Sequence, residues 1–316
     1  MTFNIENTTH KFIDFVAEAN VTMAVPTARD RSVTMRVSGG ERSLVRNGRA
    51  PEQVVSVLFD TGIEEWRRGW RSSTNSVPVR EALVSASDLT RGATATTQVV
   101  PNGQLAYTVL GAPVDVDRVL TAVTDHLTGV DNADVHVIVD DVNPLLTDKG
   151  LTAAERFVTG LRDGLPESVG DITLGCSIGP NTDPGLASLL ESVDVVEGSN
   201  PVVVESIKHL RQEDPTTFGY VRRHWAEAQR GIDACGRNYP QAKQIHATLS
   251  DAETTPRTLG ATVSGLVRLG VLETWSETVG PTRYDLTAYR PERLWDVGVV
   301  FAASSSDSDD ELTTPT

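Results

Sequence analysis

Apolar residues in the first two-thirds of the chain fall into two alternating kinds of segment. Short runs that are apolar almost throughout, such as VVSVLF at 54–59 and VHVIVDD at 135–141, have the length and composition of buried β-strands. Between such runs lie segments with apolar residues three and four positions apart, of which 114–127 is the most regular. Buried strands that alternate with helices indicate a parallel sheet covered on both faces. We therefore predict a doubly wound, mostly parallel α/β domain over residues 1–207.

The individual elements of this domain follow from the same patterns. Strands are expected at 21–26, 54–59, 80–87, 94–100, 105–111, 135–141, 171–179 and 194–199, with a turn at 101–103. Helices are expected at 11–20, 63–70, 114–127, 152–161 and 183–193.

The segment 240–286 has a different pattern, in which two helices precede two extended stretches. Apolar positions with helical spacing begin at Ala242, and Thr255-Pro256 has the residue types of a helix N-terminus. Gly270 stands where the second helix should end. The stretches VLETW and RYDL flank a Gly280-Pro281 turn and predict a β-hairpin. With the phrases LVRLGVLE and TRYDLT, this order resembles archaeal and bacterial winged-helix DNA-binding domains.

A longer helix is predicted over 216–236, directly before this unit. Its apolar residues form a narrow seam, and they are Phe218, Val221, Trp225, Ala228, Ile232 and Cys235. The seam could pack on the two later helices of the same chain or on a second copy in a homodimer. With this helix included, the predicted winged helix-turn-helix domain spans 215–300. The polar, acidic residues 301–316 are expected to be disordered.

The resemblance to winged helices implies which residues would contact double-stranded DNA. If Leu259, Val263, Leu266 and Val267 face the core, six residues of the second helix remain outside: Arg257, Thr258, Ala261, Thr262, Gly265 and Arg268. Arg283 on the wing, with Arg222 and Arg223 on the preceding helix, would hold the flanking phosphates. The alternative is that this face of small residues packs against the α/β domain.

The α/β part resembles the core of RecA/KaiC-type ATPases. It is more similar to an uncharacterised haloarchaeal family that keeps this core and lacks the nucleotide machinery. The phrases that carry the resemblance are VTMAVP, VVSVLF followed by IEEWRRGW, VHVIVDD, AERFVTGLRDGL and LLESVDVVEGS. Because relatives of this kind mostly have no assigned activity, the resemblance implies a fold and no reaction.

Charge modifies the prediction of DNA binding. The chain holds 28 Lys and Arg against 43 Asp and Glu, a net charge of −15, and an acidic chain with so few lysines is typical of salt-loving cells. Residues 215–300 hold ten basic and nine acidic residues, a net charge of +1. They are therefore less acidic than residues 1–214 and residues 301–316. The two cysteines lie far apart in sequence and suggest no disulfide, so a cytoplasmic protein is expected. No apolar run approaches the length of a membrane span, so no membrane segment is expected.

Two sites could support catalysis instead. Asp140 and Asp141 end an apolar strand, as the Mg²⁺-binding carboxylates of ATPases do, but no Gly-Lys-Ser/Thr loop follows the strand predicted at 21–26. The arginine-rich segment 29–49 takes that position, either as a solvated hairpin or as a phosphate or partner contact. Ser177 lies in a Gly-x-Ser-x-Gly pattern typical of α/β-hydrolases, for which Asp194 and either His209 or His246 would complete a triad.

The sequence favours a DNA-binding transcription regulator without enzymatic activity, cofactor or metal. In it, a RecA-like domain acts as sensor or assembly platform. Two alternatives remain: a winged helix that contacts protein without DNA, and an enzyme or divergent nucleotide-binding protein that uses Asp140 and Asp141 or Ser177.

Overall fold

The computed structural model describes residues 31–38, 53–73, 78–86, 96–99, 105–111, 115–128, 135–166, 169–179, 182–198, 200–275 and 281–306. Its larger part is an α/β fold built on an eight-stranded sheet. The strands are β1 Ser32–Ser38, β2 Gln53–Leu58, β3 Arg80–Ser85, β4 Thr96–Val99, β5 Leu105–Val109, β6 Val135–Val139, β7 Val169–Ser177 and β8 Val195–Glu197.

The helices of the α/β part alternate with these strands. They are α1 Ile63–Ser73, α2 Val116–Leu127, α3 Asn143–Lys149, α4 Leu151–Gly164, α5 Leu186–Glu191 and α6 Pro201–Glu213. The strand order is β4-β5-β3-β2-β6-β7-β1-β8, and only β4 runs antiparallel to its neighbour. Seven parallel strands therefore form the sheet that the continuous apolar runs predict.

Strand β2 shows how both faces of the sheet are covered. Val55 and Val57 contribute to a core shared with α2 and α4, whereas Val54 and Leu58 pack with Trp66 of α1 on the opposite face. Successive side chains of a strand point to opposite faces, so a strand covered on both faces has to be apolar throughout. This is the physical reason for the run VVSVLF.

Strand β1 is the main correction to the predicted sheet. It lies at Ser32–Ser38 inside the arginine-rich segment, between β7 and β8, where we predicted a hairpin or an anion-binding loop. Arg36 pairs with Glu197 at 2.7 Å, and Arg31 donates to the carbonyl oxygens of Leu165 and Pro166 beyond the end of α4. Arg31 and Arg36 therefore make contacts within the α/β fold. The helix and strand predicted at 11–26, the turn at 101–103 and the rest of the arginine-rich segment lie outside the described residues.

The C-terminal part continues with α7 Pro215–Asp233, α8 Ala242–His246, α9 Pro256–Arg268, β9 Glu273–Thr274, β10 Tyr284–Asp285 and α10 Pro291–Ser306. The Thr255 hydroxyl accepts the N–H of Thr258 and so caps α9 as predicted, and Gly270 after its end has a φ of 73°. Strands β9 and β10 pair antiparallel, and an isolated bridge joins Gln241 to Arg283.

Helices α3, α6 and α10 were not predicted, and the last two run across predicted domain limits. Helix α6 at Pro201–Glu213 runs across the expected boundary near 207. Helix α10 extends to Ser306, so residues 301–306 are helical rather than disordered, and Phe301 is buried. Residues 307–316 of the expected tail lie outside the described residues.

Helix α10 packs against β8, α5, α6 and α7 and so connects the sheet with the C-terminal helices. Its Trp295 is fully buried and meets the Trp225 indole edge to face, with ring centroids 5.6 Å apart. Asp296 accepts a hydrogen bond from the Asn200 side chain, and Arg293 donates to the Ser206 hydroxyl. The helical part therefore has no independent core.

No helix in the described ranges is long and apolar enough to cross a membrane.

Candidate nucleic-acid interface

One stripe of α9 faces solvent. It consists of Arg257, Ala261, Ser264 and Arg268, which are spaced four, three and four residues apart and therefore share one helical face. The arginines and Ser264 are exposed, and Ala261 is half-buried. Leu259, Val263 and Leu266 lie on the opposite face in the core, as predicted. A small residue between polar ends gives the helix a surface that can approach another molecule closely.

Two of the residues predicted to contact DNA do not belong to this stripe. Thr262 is fully buried, and its hydroxyl donates to the carbonyl oxygen of Thr258. Gly265 faces α7 so closely that a Cβ atom placed there would lie 2.3 Å from the Val221 side chain. Thr262 and Gly265 therefore pack the domain, whereas Thr258 lies half-buried at the margin of the stripe. Ser264, which sequence reasoning missed, takes their place.

Arg268 at the end of the stripe is held by two carboxylates. Its guanidinium lies 2.7 Å from Glu213 and 3.2 Å from Asp214, at the junction of α6 and α7. Asp214 also caps α7 by accepting the N–H of Thr217. This hydrogen bond holds the pKa of Asp214 below its usual value, and the Arg268 charge acts in the same direction.

Replacing Asp214 by alanine is expected to lower the melting temperature at neutral pH and to have little effect in acid. A depressed pKa means that the stabilisation is present above about pH 4 and disappears as the pH falls through the folded-state pKa. Thermal unfolding of wild type and variant at several pH values measures this convergence. The matched control is Glu213→Ala, which removes a partner of Arg268 and leaves the cap in place. A constant difference at every pH would contradict the assignment.

The hairpin is fastened to α9 beside the stripe. The Tyr284 hydroxyl lies 2.9 Å from the Ser264 hydroxyl and donates to the carbonyl oxygen of Gly260. Arg283 precedes Tyr284, is exposed, and donates to the carbonyl oxygen of Tyr239. Since a carbonyl oxygen does not neutralise a guanidinium, Arg283 keeps its charge at the surface.

Three further arginines of the C-terminal part are also exposed, and they are Arg222, Arg223 and Arg257. Arg222 and Arg223 on α7 are exposed, and Arg223 donates to the carbonyl oxygen of Gly219. Between residues that the structure describes, no ion pair within 4.0 Å involves Arg222, Arg223, Arg257 or Arg283. The four arginines are therefore available to an anionic ligand, unlike Arg268.

A buried carboxylate positions the entry to α9, and sequence reasoning missed it. Glu227 of α7 accepts hydrogen bonds from the N–H groups of Glu253 and Thr254 and from the Thr254 hydroxyl. A nitrogen of His246 lies 2.7 Å from the Thr254 carbonyl oxygen. These contacts set where Arg257 begins the stripe. A polar residue beside the apolar seam of α7 was the available signal.

The seam of α7 is buried within the chain. Val221, Trp225, Ala228 and Ile232 are 0–9 % exposed and contribute to the common core, and α7 packs on α8, α9 and α10. Of the two interpretations of the seam, the structure supports the intramolecular one. A homodimer would need another surface.

Asp140 follows the carboxyl end of the central strand β6, where α/β folds commonly bind ligands. The connections leaving β2 and β6 run in opposite directions, which defines such a crevice at their carboxyl ends. Asp140 accepts the N–H groups of Phe59, Asp60, Thr61 and Asp141 at 2.7–3.1 Å. Burial raises the pKa of Asp140, while these four donors act in the opposite direction. The protein's own carboxylate therefore fills the nest of amides.

The hydrolase triad does not assemble. Ser177 pairs with Ser38 at the carboxyl end of β1, whereas Asp194 accepts the N–H of Val33 at the opposite end, about 16 Å away at 3.3 Å per residue. The helix after the pattern begins only at Leu186. His209 lies beside Glu213 on α6, and His246 is engaged with Thr254. The glycine at 175 has a packing role, because a Cβ atom there would lie 2.1 Å from the Asp140 carbonyl oxygen.

Within the part of the chain that the structure covers, no group of three or more histidine, cysteine or acidic side chains could hold a metal ion.

Comparisons with known proteins place only part of the chain. Residues 21–172 match a family model described as "Family of unknown function (DUF7504)". A search of curated proteins finds no match.

Several solved structures are similar at low identity. The Aeropyrum pernix Orc1 protein in complex with DNA is 15 % identical, with 84 % of this chain and 89 % of that chain covered and a TM-score of 0.19. Drosophila ORC bound to AT-rich DNA and Cdc6 is 8 % identical, with 75 % and 83 % covered and a TM-score of 0.19. Cdc6p from Pyrobaculum aerophilum is 10 % identical, with 81 % and 89 % covered and a TM-score of 0.18. TM-scores of this size do not establish a shared fold.

Proposed function

We propose that residues 215–300 form a winged helix that binds double-stranded DNA. The observation that carries the proposal is the exposed stripe of α9 beside a hairpin that is hydrogen-bonded to it. A helix of this diameter fits the major groove, and Arg257 and Ser264 can donate to phosphates or base edges. Arg283 on the hairpin and Arg222 and Arg223 on α7 would contact the flanking backbone.

The acidic total of the chain is compatible with this role. At about 1 M salt, charges separated by more than roughly 3 Å are largely screened, so distant carboxylates repel DNA only weakly. What then matters is the local arrangement, where four exposed arginines lie outside the ion pairs of the described residues.

The α/β part is proposed to be a RecA-like domain of the kind found in a haloarchaeal family, and to act as a sensor or assembly platform. The hydrogen bonds of Asp140 support a non-catalytic role, because its carboxylate already accepts four backbone N–H groups of the crevice. Joined to a DNA-binding part, such a domain would make the protein a transcription regulator in the cytoplasm. A homodimer is part of this proposal and has to use a surface other than the α7 seam.

The double variant Arg257→Ala/Arg283→Ala is expected to bind duplex DNA about tenfold or more weakly and with a smaller dependence on salt. Each phosphate contact contributes about 0.9 to the slope of log K against log salt concentration, so the slope should fall by up to about 2. Fluorescence anisotropy with genomic duplex fragments over a salt series measures both quantities.

The matched control is Arg156→Ala, a charge change on α4 that breaks an exposed ion pair with Asp117. It should bind DNA as wild type does. Equally weak binding by wild type and the double variant would overturn the proposal. Recovery of a stoichiometric protein partner by the same surface would then favour the alternative of a protein-contact module.

A further inference from the structure

An aromatic pair joins the hairpin to the loop before α8, with an exposed Trp275 stacked on a half-buried Tyr239. The Tyr239 and Trp275 rings have centroids 3.9 Å apart and planes inclined by 36°. Trp275 is 44 % exposed, although tryptophan is usually much more buried. The indole of Trp275 therefore exposes a large apolar surface to solvent, and the Tyr239 ring packs against it.

Hydrogen bonds from the backbone and from the Arg283 side chain fix this pair in place. The N–H of Trp275 donates to the Arg283 carbonyl oxygen, and the Arg283 guanidinium donates to the Tyr239 carbonyl oxygen. The N–H of Tyr284 donates to the carbonyl oxygen of Pro240, a buried residue. Little conformational entropy would be lost when a ligand stacks on such a preorganised ring.

The pair lies on the side of the hairpin away from α9. Tyr284 pairs with Thr274 in register, so Arg283 and Trp275 come opposite each other at the next position. Neighbouring side chains of a strand point to opposite faces, and Tyr284 points to α9. Trp275 therefore lies outside the stripe and on the face of Arg283, so a strand leaving a duplex whose flanking backbone contacts Arg283 could reach the indole.

We propose that Tyr239 and Trp275 form a stacking platform for an unpaired nucleobase. This inference rests on the proposed DNA binding and adds a preference for duplexes that carry a single-stranded segment. Exposed aromatic rings beside arginine bind single strands by base stacking while the cation contacts the backbone. The ligand class is single-stranded DNA next to a duplex.

The charges around the platform favour an anionic strand over a cationic or acidic peptide partner. Arg283 lies within hydrogen-bonding distance of the platform and is outside every ion pair between described residues. The nearby carboxylates are engaged elsewhere: Glu273 lies 3.9 Å from Arg290, and Asp285 accepts two hydrogen bonds from Thr287. An acidic peptide would use the same arginine, but it would not need a stacked pair of rings.

The test compares a duplex with the same duplex carrying an oligo(dT) overhang. Wild type is expected to bind the overhang substrate about tenfold more tightly, and Trp275→Ala should lose this preference while binding the plain duplex unchanged. Trp275→Phe should keep most of the preference, because phenylalanine still stacks. Oligo(dT) should also quench the tryptophan fluorescence of wild type and not that of Trp275→Phe.

The outcomes separate this inference from the proposed function. Duplex binding with no overhang preference, or with a preference that survives in Trp275→Ala, overturns the platform and leaves duplex binding standing. Quenching that persists in Trp275→Phe places the stacked base at another tryptophan and also overturns it. Absence of binding to either substrate overturns the proposed function itself. Val202→Ala, which changes an exposed apolar residue on α6, is the matched control and should behave as wild type.

Discussion

Replacing Asp140 by alanine is expected to lower the free energy of unfolding by about 3–5 kcal/mol, because several amide donors lose their acceptor. The substitution removes the acceptor for the N–H groups of Phe59, Asp60, Thr61 and Asp141, and an unsatisfied buried donor costs about 1–3 kcal/mol. The N–H of Asp60 is only partly buried, so hydration of this donor in the variant reduces the sum. Urea denaturation followed by circular dichroism measures the change.

Two variants sharpen this test. Asp148→Ala removes an exposed carboxylate from α3, the helix that follows β6, and should change the free energy of unfolding by less than about 0.5 kcal/mol. Asp140→Asn keeps one acceptor oxygen and turns an N–H₂ group toward the amides. Its decrease in the free energy of unfolding should therefore lie between those of Asp140→Ala and the control variant. If Asp140→Ala left stability unchanged but abolished heat of Mg-ATP binding in isothermal titration, Asp140 would be a ligand-binding carboxylate instead.

The sheet was largely predictable because buried parallel strands require a composition that stands out. Strands covered on both faces are apolar throughout, and β2 and β6 follow this rule. Strand β1 does not, because arginine and threonine alternate with Val33, Met35 and Val37 on one face. Its period of two was a strand signal, but six arginines within 29–49 suggested a surface segment.

Helices α6 and α10 differ in how far the sequence indicates them. Helix α6 has the start signals Asn200 and Pro201, and the Asn200 side chain caps it. Helix α10 is buried on most sides over its middle, so its apolar residues show no single stripe and the run VGVVFAA looks like a strand or a disordered end. Its helical state follows from tertiary packing rather than from local pattern.

The candidate interface was predictable only in part because α9 has two packing partners. One face, with Leu259 and Val263, follows from periodicity. Gly265 turns toward α7, and Thr262 is buried between faces, so four of the six predicted positions remain outside the core. Which side a neighbouring helix covers is a property of the assembled domain, and no spacing within α9 encodes it.

Replacing Trp295 by alanine is expected to lower the free energy of unfolding by about 3–5 kcal/mol and to destabilise the sheet together with the C-terminal helices. Trp295 is 1 % exposed, meets Trp225 edge to face, and belongs to the helix that packs against both β8 and α7. A cavity there removes contacts from both parts. Because the two parts share one core, unfolding should remain a single transition at lower denaturant concentration.

Trp295→Phe is the matched variant, since it keeps an aromatic ring and should cost clearly less than alanine. The decisive comparison uses two probes of the same urea titration. Far-ultraviolet circular dichroism reports all helices, and protease cleavage followed by mass spectrometry reports where the chain opens. Coincident loss of protection in the sheet and in residues 215–300 supports a shared core. Early cleavage confined to 215–300, with the sheet still protected, would show that α10 does not couple the two parts. Residues 215–300 could then be studied as a separate folding unit.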